Sequence, residues 1–362
     1  MSKTIRVDYV WLDGYTPVQN LRSKIRIMEV DKLPTTAKQI PEWGFDGSST
    51  QQAPGDESDL ILKPVKLVKQ PFAEDEKDNW ESYIALCEVM LPDGKPHATN
   101  TRAKLRKLKK NDIMFSAEQE YVLLDARTIR PIGWPMEEGN VTFPPPQGRY
   151  YCGVGDFVKG RNFVEKYTVV CHKAGLHIEG NNAEVMLSQW EYQLGQLNAL
   201  DLADEMWIAR YLGDRLGEYY NTIISYDPKP VAGDWNGSGC HINFSTKEMR
   251  DNGYNEDYIS VLMEQFEEDH DEHISSCGVG NERRLTGDHE TCHINKFKYG
   301  VGDRSASIRI PASCKKGNFY MEDRRPAANV DPYQVLTTLT NSIVSAHKTL
   351  NSMKGQEKEV VA

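Results

Sequence analysis

The first hundred residues alternate between apolar and polar positions in the manner of short β-strands. The segments IRVDYVWL and KIRIMEV repeat with a period of two, and ESYIALCEVML predicts another strand that ends in the turn sequence Pro92-Asp93-Gly94. PEWGFDGSST is rich in glycine, serine and aspartate and predicts a loop. A small β-rich domain is therefore predicted for residues 1–100.

The rest of the chain alternates strand-like segments with longer helical patterns. A short basic helix is predicted around residues 104–110. Apolar spacing typical of amphipathic helices then covers residues 157–174, 197–220, 256–275 and 332–352. The Pro/Gly-rich connection FPPPQGRYYCGVG is too irregular for a helix or a strand. We expect an α+β protein whose second, larger domain covers residues 101–362.

Composition and charge narrow the class of protein. The chain has 362 residues, 39% of them hydrophobic, and a net charge of −10, which argues against a general nucleic-acid binder. No apolar run approaches the ~20 residues that a membrane-spanning helix needs. The start, MSKTIRVDYVWLDG, has no signal-peptide pattern, so a cytoplasmic location is expected. Seven scattered cysteines without a CxxC pair argue against a disulfide framework or a zinc ribbon.

Paired glutamates are the most informative feature of the sequence. Glu118 and Glu120 stand two apart in MFSAEQEYVLLD, so both side chains point to one face of a strand, although surface strands often carry such charges. In NAEVMLSQWEYQL, a two-residue turn at Leu187-Ser188 would place Glu184 opposite Glu191. Like charges directly opposite destabilise a hairpin, and a divalent cation between them would remove that cost. The alternative is that the turn lies elsewhere and the two glutamates never meet.

Two further segments place polar side chains on single strand faces. In GDWNGSGCHINFST, the alternation puts His241, Asn243 and Ser245 on one face, which suits a ligand. In FYMEDRRPAANVDP, it puts Glu322 and Arg324 on one face. Each segment also has an ordinary reading, as a structural histidine or as a surface ion-pair patch.

Several arginines suit a phosphate or a carboxylate, because the planar guanidinium binds two oxygens at once. NERRLTG offers Arg283 and Arg284, and GDRSASIRIP offers Arg304 and Arg309. Each could be a solvated charge, but Arg309 lies between two isoleucines before a proline, as in a half-buried strand. No Walker A motif is present, so metals and arginines would have to hold the phosphates of ATP.

Two histidine patterns are not interpreted as zinc sites. HETCH, which runs from His289 to His293, matches the zinc-protease pattern H-E-x-x-H. That motif needs a helix to bring both histidines to one face, and the surrounding residues carry no helical period, so a protease is not predicted. His270 and His273 lie in a strongly acidic helical stretch and are expected to cover its surface.

Eight ordered segments resemble glutamine synthetase, in the wording of its shorter, eukaryotic-like (type II) branch. They run from residue 45 to about residue 333 and are FDGSST, EQEY, QGRYYCGVG, NAEVMLSQWEYQLG, WNGSGCHINFST, RRLTGDHET, DRSASIRIP and EDRRPAANVDP. The resemblance implies an N-terminal β-grasp domain and a C-terminal catalytic domain, in which helices flank an antiparallel sheet. It also implies a ligase that makes L-glutamine from L-glutamate, ammonium and ATP through γ-glutamyl phosphate. The implied assembly is a homodecamer of two stacked rings, with active sites between neighbouring subunits.

The resemblance also implies roles for individual residues. Two or more Mg²⁺ or Mn²⁺ ions per site are implied, with Glu118, His241 and Glu322 nearer the nucleotide and Glu120, Glu184 and Glu191 nearer glutamate. The positions that resemble nucleotide contacts are Asn243, Ser245, Arg250, Arg304 and Arg309. Those that resemble contacts to glutamate and the transferring phosphate are Asn236, Gly237, Arg284, Arg304 and Arg324. The ammonium site is matched by Asp46, Ser49, Tyr150 and Glu290, with Asp46 as candidate base and Glu290 as the flap residue that shields the intermediate.

The chain departs from the usual wording of this family at a few positions. Asp303 stands where asparagine usually precedes Arg304, which adds negative charge beside an arginine matched to phosphate. Ala312 stands where an arginine often follows the proline. These departures affect no residue that the resemblance implies as a metal ligand.

Two other functions are compatible with the resemblance. One is a related ligase that joins glutamate to another amine, such as a γ-glutamylpolyamine synthetase. Asp46 and Glu290 favour ammonium, because a pocket built from acids suits a small cation. The other is a non-catalytic structural relative, against which the presence of all six implied metal ligands counts.

Overall fold

The N-terminal part of the chain forms a five-stranded sheet in the computed structural model, which describes residues 2–72, 80–108, 112–137, 140–141, 143–316 and 319–360. The strands are β1 (Lys3–Leu12), β2 (Leu21–Val30), β3 (Trp43–Asp46), β4 (Asp59–Lys69) and β5 (Glu81–Met90). Their order is β2-β1-β5-β4-β3. Neighbours are antiparallel except β1 and β5, which run parallel.

A larger sheet follows in the second part of the chain. The remaining strands are β6 (Ile113–Asp125), β7 (Arg130–Pro131), β8 (Met136–Glu137), β9 (Asn140–Val141), β10 (Ile178–Ala183), β11 (Gln189–Leu197), β12 (Thr222–Ser225), β13 (Cys240–Thr246), β14 (Tyr299–Val301), β15 (Ile308–Ile310) and β16 (Met321–Asp323). Apart from the β8-β9 ribbon, they form one sheet whose main path is β10-β11-β6-β13-β16-β15-β14. Along this path only β14 and β15 are parallel, so β6 lies between two antiparallel partners.

Helices flank this second sheet. Within the described residues they are α1 (Arg102–Lys107), α2 (Arg161–Lys173), α3 (Ala199–Tyr220), α4 (Lys247–Asn252), α5 (Glu256–Glu268), α6 (His270–Ser276) and α7 (Pro332–Val360). The side chains of Asn198, Thr246 and Asn255 cap α3, α4 and α5 by accepting hydrogen bonds from first-turn N–H groups. None of the described helices combines the length and the apolar character that crossing a membrane requires.

Strand β1 is buried on both faces, which joins the two parts of the molecule. Val7, Tyr9 and Trp11 point into a small core of the first sheet. Val10 points the other way and, with Ile84, belongs to the large core that also holds side chains of α3 and α7. Because successive side chains of a strand alternate in direction, the same strand contributes to both cores.

The α+β class is confirmed by these sheets and helices, and several element predictions need correction. The segment from Trp43 to Asp46 is an edge strand and not a loop, because its main chain pairs with β4. The predicted helix 256–275 is two helices that meet at Asp269. The basic helix is α1 as far as it is described, since residues 109 and 110 of the prediction lie outside the described residues. The predicted boundary near residue 100 falls between the end of β5 and the start of α1, and remains a prediction.

The expectation that His270 and His273 cover a helix surface is wrong. Both side chains are buried, and Nδ1 of His273 lies 2.9 Å from Nη2 of Arg325. Arg325 is itself buried and donates to both carboxylate oxygens of Asp323 at 2.8 and 2.9 Å. A buried guanidinium needs acceptors for all its N–H groups, and α6 supplies two imidazoles for that purpose. Burial and Arg325 lower the pKa of His273 to about 3.

Candidate functional site

Glutamates from neighbouring strands meet on one face of the large sheet. Glu118 and Glu120 both lie on β6, and their two-residue spacing gives them the same face, as predicted. Glu191 on β11 is directly opposite Glu120 in the antiparallel register. On the other side of β6, strand β13 places His241 opposite Glu118. Three strands that are far apart in the sequence therefore contribute to one polar patch.

The predicted pairing of Glu184 with Glu191 across a two-residue turn is wrong. Asn182 is opposite Glu191, and the turn between β10 and β11 takes residues 184–188. Like charges do stand directly opposite one another, but they are Glu120 and Glu191 on the neighbouring strands β6 and β11. The argument for a cation that offsets like charges therefore applies to this pair. Glu184 reaches the same cavity from the turn.

These side chains line a cavity of about 420 Å³. Acidic and basic groups from distant segments converge on it. The predicted site residues in its lining are Glu118, Glu120, Glu184, Glu191, Asn236, Gly237, His241, Arg284, Glu290, Arg304, Arg309 and Arg324. Carboxylates and guanidinium groups in one cavity suit a ligand that carries both anionic groups and metal ions.

A second cavity of about 510 Å³ adjoins the first and shares Glu118, Gln193 and Tyr320 with it. Four residues are matched only to the nucleotide. Asn243, Ser245 and Arg250 line this second cavity, whereas Arg309 lines the first. Nδ2 of Asn243 donates to Glu118 at 2.9 Å, whereas its Oδ1 is buried without a hydrogen-bond partner in the described structure. A buried acceptor without a donor costs free energy, so the Oδ1 of Asn243 favours a ligand that donates a hydrogen bond from an N–H or O–H group.

The glutamates of the first cavity carry more negative charge than the nearby positive groups neutralise. Burial, followed by repulsion from Glu120, raises the pKa of Glu184 to about 8. Burial raises the pKa of Glu191 to about 10, with repulsion from Glu118, Glu120 and Glu184 as the next causes. Such shifts mean that the ionised carboxylates lack a counter-charge, which a divalent cation would supply.

The donor set fits a hard divalent cation. Glu118, Glu191 and His241 each offer a ligand atom, and these atoms lie within 4.8 Å of one another. Nδ1 of His241 is buried without a hydrogen bond in the described structure, at 3.3 Å from Oε1 of Glu322. Carboxylate oxygens with a single imidazole are typical of Mg²⁺ or Mn²⁺ sites and not of structural zinc sites.

Glu322 is fully buried between two arginines. Nη1 of Arg324 donates to its Oε1 at 2.6 Å, and Arg309 pairs with its Oε2. Although burial raises it, the pKa of Glu322 is lowered, because His241 and both arginines stabilise the carboxylate. The predicted half-buried strand around Arg309 is confirmed, with buried Ile308 and Ile310 on either side.

Glu290 lies at the rim of the first cavity in a constrained main-chain conformation. Its φ is 60° and that of His289 is 52°, so two successive non-glycine residues are left-handed. Such conformations cost free energy and cluster at functional sites. The carbonyl of Glu290 accepts a hydrogen bond from Nη2 of Arg324 at 3.3 Å, which ties this loop to the cavity. The HETCH segment is not helical, as predicted.

The other residues matched to ammonium lie outside both cavities. Asp46 and Ser49 are at the end of the edge strand β3 in the first sheet. Tyr150 is buried against Trp235 and donates to the carbonyl of Pro145 at 2.8 Å, while the neighbouring Tyr151 lines the first cavity. A single chain therefore does not bring Asp46 to the cavity that holds Glu290.

The Asp46 carboxylate is held by the loop that follows it. It accepts hydrogen bonds from the main-chain N–H of Ser48 at 3.0 Å and from the hydroxyls of Ser48 and Ser49 at 2.6 and 2.5 Å. These bonds, led by the Ser48 hydroxyl, lower the pKa of Asp46 to about 2. The group is fully exposed and remains ionised at neutral pH, so it attracts cations.

Amide side chains that the sequence interpretation missed hold the glutamates in place. Nε2 of Gln189 donates to Glu120 at 3.0 Å, and Nε2 of Gln193 donates to Asn182 at 2.8 Å and also to Glu191. Gln189, Glu191 and Gln193 alternate along β11. This period-two spacing around a candidate ligand is the signal that could have found them.

Two family models match nearly the whole chain. Residues 3–92 match the model described as glutamine synthetase, beta-Grasp domain, and residues 97–346 match the model described as glutamine synthetase, catalytic domain. The chloroplastic glutamine synthetase of Chlamydomonas reinhardtii is 47% identical over 352 residues, which cover 93% of this chain and 90% of that protein. The glutamine synthetase of Bradyrhizobium diazoefficiens is 46% identical over 347 residues, covering 94% of this chain and 96% of that protein.

A solved structure has a similar fold. The cryo-EM structure of Plasmodium falciparum glutamine synthetase superposes with a TM-score of 0.72 at 17% identity. The match covers 96% of this chain and 72% of that chain. At this identity the likeness concerns the fold, and it agrees with the arrangement of two sheets described above.

Proposed function

The chain belongs to the glutamine synthetase family, and from that membership we propose how its two adjoining cavities carry out the ATP-dependent amidation of glutamate. The activity is that of a glutamate–ammonia ligase. One observation carries the proposal: five glutamates, His241 and four arginines converge on a single cavity of about 420 Å³. The intermediate γ-glutamyl phosphate, which is the activated form of glutamate, would be formed and consumed in this cavity.

Two groups of side chains are proposed to hold two or more Mg²⁺ or Mn²⁺ ions. The raised pKa values of Glu184 and Glu191 support this assignment, as does Nδ1 of His241, which faces Glu118 and Glu322 without a hydrogen bond in the described structure. When bound, the ions offset the negative charge that is spread over the transferring phosphoryl group. The proposed ligands are Glu118, His241 and Glu322 on the nucleotide side, and Glu120, Glu184 and Glu191 on the glutamate side.

The other polar residues of the cavities are proposed to bind and orient the substrates. The unpartnered Oδ1 of Asn243 is placed to accept a hydrogen bond from the nucleotide in the second cavity, beside Ser245 and Arg250. Arginines supply the planar donors that a carboxylate or a phosphoryl group needs where no phosphate loop exists. Those proposed for glutamate and the transferring phosphate are Arg284, Arg304 and Arg324, with Arg309 on the nucleotide side and the backbone at Asn236 and Gly237 at the amino-acid end.

The ammonium site is proposed to form between two copies of the chain. Asp46 lies outside both cavities of its own chain, which supports donation of Asp46 and Ser49 to the Glu290 loop of a neighbour. Tyr150 is proposed to complete this site. A carboxylate with a pKa of about 2 binds a cation but is a weak base. Burial in the closed site therefore has to raise its pKa before it accepts the ammonium proton. We propose stacked rings, with a homodecamer as the assembly, and a cytoplasmic location.

The assay that tests this function also separates its rivals. The pure protein is incubated with glutamate, ATP, Mg²⁺ or Mn²⁺, and either ammonium, hydroxylamine or a polyamine, and phosphate and γ-glutamyl product are measured. We expect ammonium and hydroxylamine to give product and the polyamine to give little. Better turnover with the polyamine would favour the γ-glutamyl-amine ligase. A folded oligomer that gives no product with any amine or metal would contradict the enzyme assignment.

Gly239 provides a test of how tightly the cavity is packed. A Cβ at this position would lie 2.5 Å from Nη2 of Arg284 and 2.7 Å from Nε2 of His241, so one of these groups has to move. We expect Gly239→Ala to lower kcat/KM by at least about tenfold, because small displacements of positioned groups are costly in catalysis. Gly55→Ala is the matched control, since its added Cβ would meet no atom within 4 Å. Equal activities of the two variants would contradict the proposed placement of His241 and Arg284.

A further inference from the structure

Arg304 lies in the turn that connects β14 to β15. Its side chain is exposed and lines the first cavity. Among the contacts of the described residues, its guanidinium makes no hydrogen bond or ion pair, while its main-chain carbonyl accepts a bond from Nε of Arg324 at 3.0 Å. The arrangement leaves a positive group available to an anionic ligand.

The preceding residue is Asp303, whose carboxylate would be expected to form an ion pair with the guanidinium of Arg304. The Asp303 carboxylate instead contacts Ser305 and Lys298. Its Oδ1 accepts bonds from the main-chain N–H of Ser305 at 2.9 Å and from the hydroxyl of Ser305 at 2.7 Å. Its Oδ2 lies 2.6 Å from Nζ of Lys298, which also donates to the Ser305 hydroxyl at 3.2 Å. Both carboxylate oxygens are therefore engaged by Lys298 and Ser305.

The position of Lys298 is itself determined by the strand pairing. Its main-chain carbonyl accepts bonds from the N–H groups of Ser307 at 2.8 Å and Ile308 at 3.1 Å, so the residue is anchored where β15 begins. From this fixed position, the side chain of Lys298 forms its ion pair with Asp303. Lys298, followed by Ser305, lowers the pKa of Asp303 to about 2, so the carboxylate is ionised at neutral pH.

We propose that Lys298 is a positioning residue. Together with Ser305 it engages the Asp303 carboxylate, which keeps the guanidinium of Arg304 free for an anionic substrate. The inference rests on the proposed role of Arg304 in binding glutamate or the transferring phosphate. Lys298 has two effects in this arrangement. It withdraws the Asp303 carboxylate from its neighbour Arg304, and it offsets a negative charge that would otherwise repel glutamate and ATP.

A double-mutant cycle separates this role from simple support of the turn. We expect Lys298→Met to raise the KM for glutamate or ATP about threefold to tenfold at low salt, with a smaller change in kcat. Asp303→Asn alone should stay near the wild-type KM. Lys298→Met combined with Asp303→Asn should restore the wild-type KM, because no carboxylate remains to compete. Added salt should reduce the defect of the single Lys298 variant.

The matched control is Lys95→Met. Lys95 and Asp93 form a comparable exposed ion pair at 2.7 Å in the turn after β5, and neither lines a described cavity. An unchanged KM in Lys298→Met, or a double variant as defective as the single one, would overturn the inference. Binding of glutamate and of an ATP analogue is measured by calorimetry alongside turnover. A wild-type chain that binds but forms no glutamine would contradict the proposed function, and the binding constants of the cycle would still decide the inference.

Discussion

Glu191→Gln is expected to abolish glutamine synthesis while leaving the protein folded. Glu191 is buried, faces Glu120 across the strand pair and lies in the cluster with Glu118 and His241. The amide has the same shape and can still contact Gln193, but it supplies no negative ligand for a divalent cation. We expect activity to fall at least about a thousandfold, since phosphoryl transfer depends on charge compensation in the cavity.

The stability of the same variant gives an independent readout. Removing one member of a group of buried, mutually repelling carboxylates should not lower the unfolding temperature in metal-free buffer. The wild-type protein should gain stability when Mg²⁺ or Mn²⁺ is added, because a ligand of the folded state stabilises it, and Glu191→Gln should gain less. Glu165→Gln, an exposed change on α2, is the control and should behave like the wild type. Wild-type activity in Glu191→Gln would show that the metal assignment is wrong.

Asp46→Asn is expected to remove the use of ammonium but not the activation of glutamate. The ionised carboxylate is the proposed cation binder, and the asparagine amide carries no charge to replace it. We expect kcat/KM for ammonium to fall at least about a hundredfold. Glutamate-dependent cleavage of ATP should continue at a measurable rate, because Asp46 lies outside the cavity that holds the metal ligands and arginines.

Two assays on one preparation test this prediction. Glutamine formation is measured over a range of ammonium concentrations, and phosphate release is measured without ammonium. Asp56→Asn is the control, since Asp56 is a nearby exposed acid of the same domain and should leave both rates unchanged. If Asp46→Asn forms glutamine at the wild-type rate at low ammonium, Asp46 is not part of the ammonium site.

Short-range patterns in the sequence were sufficient to predict which side chains of the candidate site share one face of a strand. The two-residue spacing of Glu118 and Glu120 and the alternation around His241 follow from strand geometry alone, and both are found on β6 and β13. The buried isoleucines on either side of Arg309 are a local pattern of the same kind. Such features are predictable because a strand fixes the direction of each side chain relative to its neighbours in the sequence.

Features that depend on pairing between distant segments could not be predicted in this way. The register that places Glu191 opposite Glu120 joins strands about seventy residues apart, and no local pattern specifies it. Strands β10 and β11 do form a hairpin, but its turn takes five residues and not two, which changes the register from the predicted one. The burial of His273 depends on Arg325, a partner that only the folded chain brings near.

The most direct test of the shared active site is to mix two inactive variants. Asp46→Asn and Glu191→Gln chains are co-expressed with different tags, and oligomers that carry both tags are purified and assayed. In a shared site, the interface between two chains is active only when one chain supplies an intact Asp46 and its neighbour supplies an intact Glu191. Random assembly at equal amounts should therefore restore about a quarter of the wild-type activity. Mixed oligomers no more active than either parent would contradict an active site completed by a neighbouring copy of the chain.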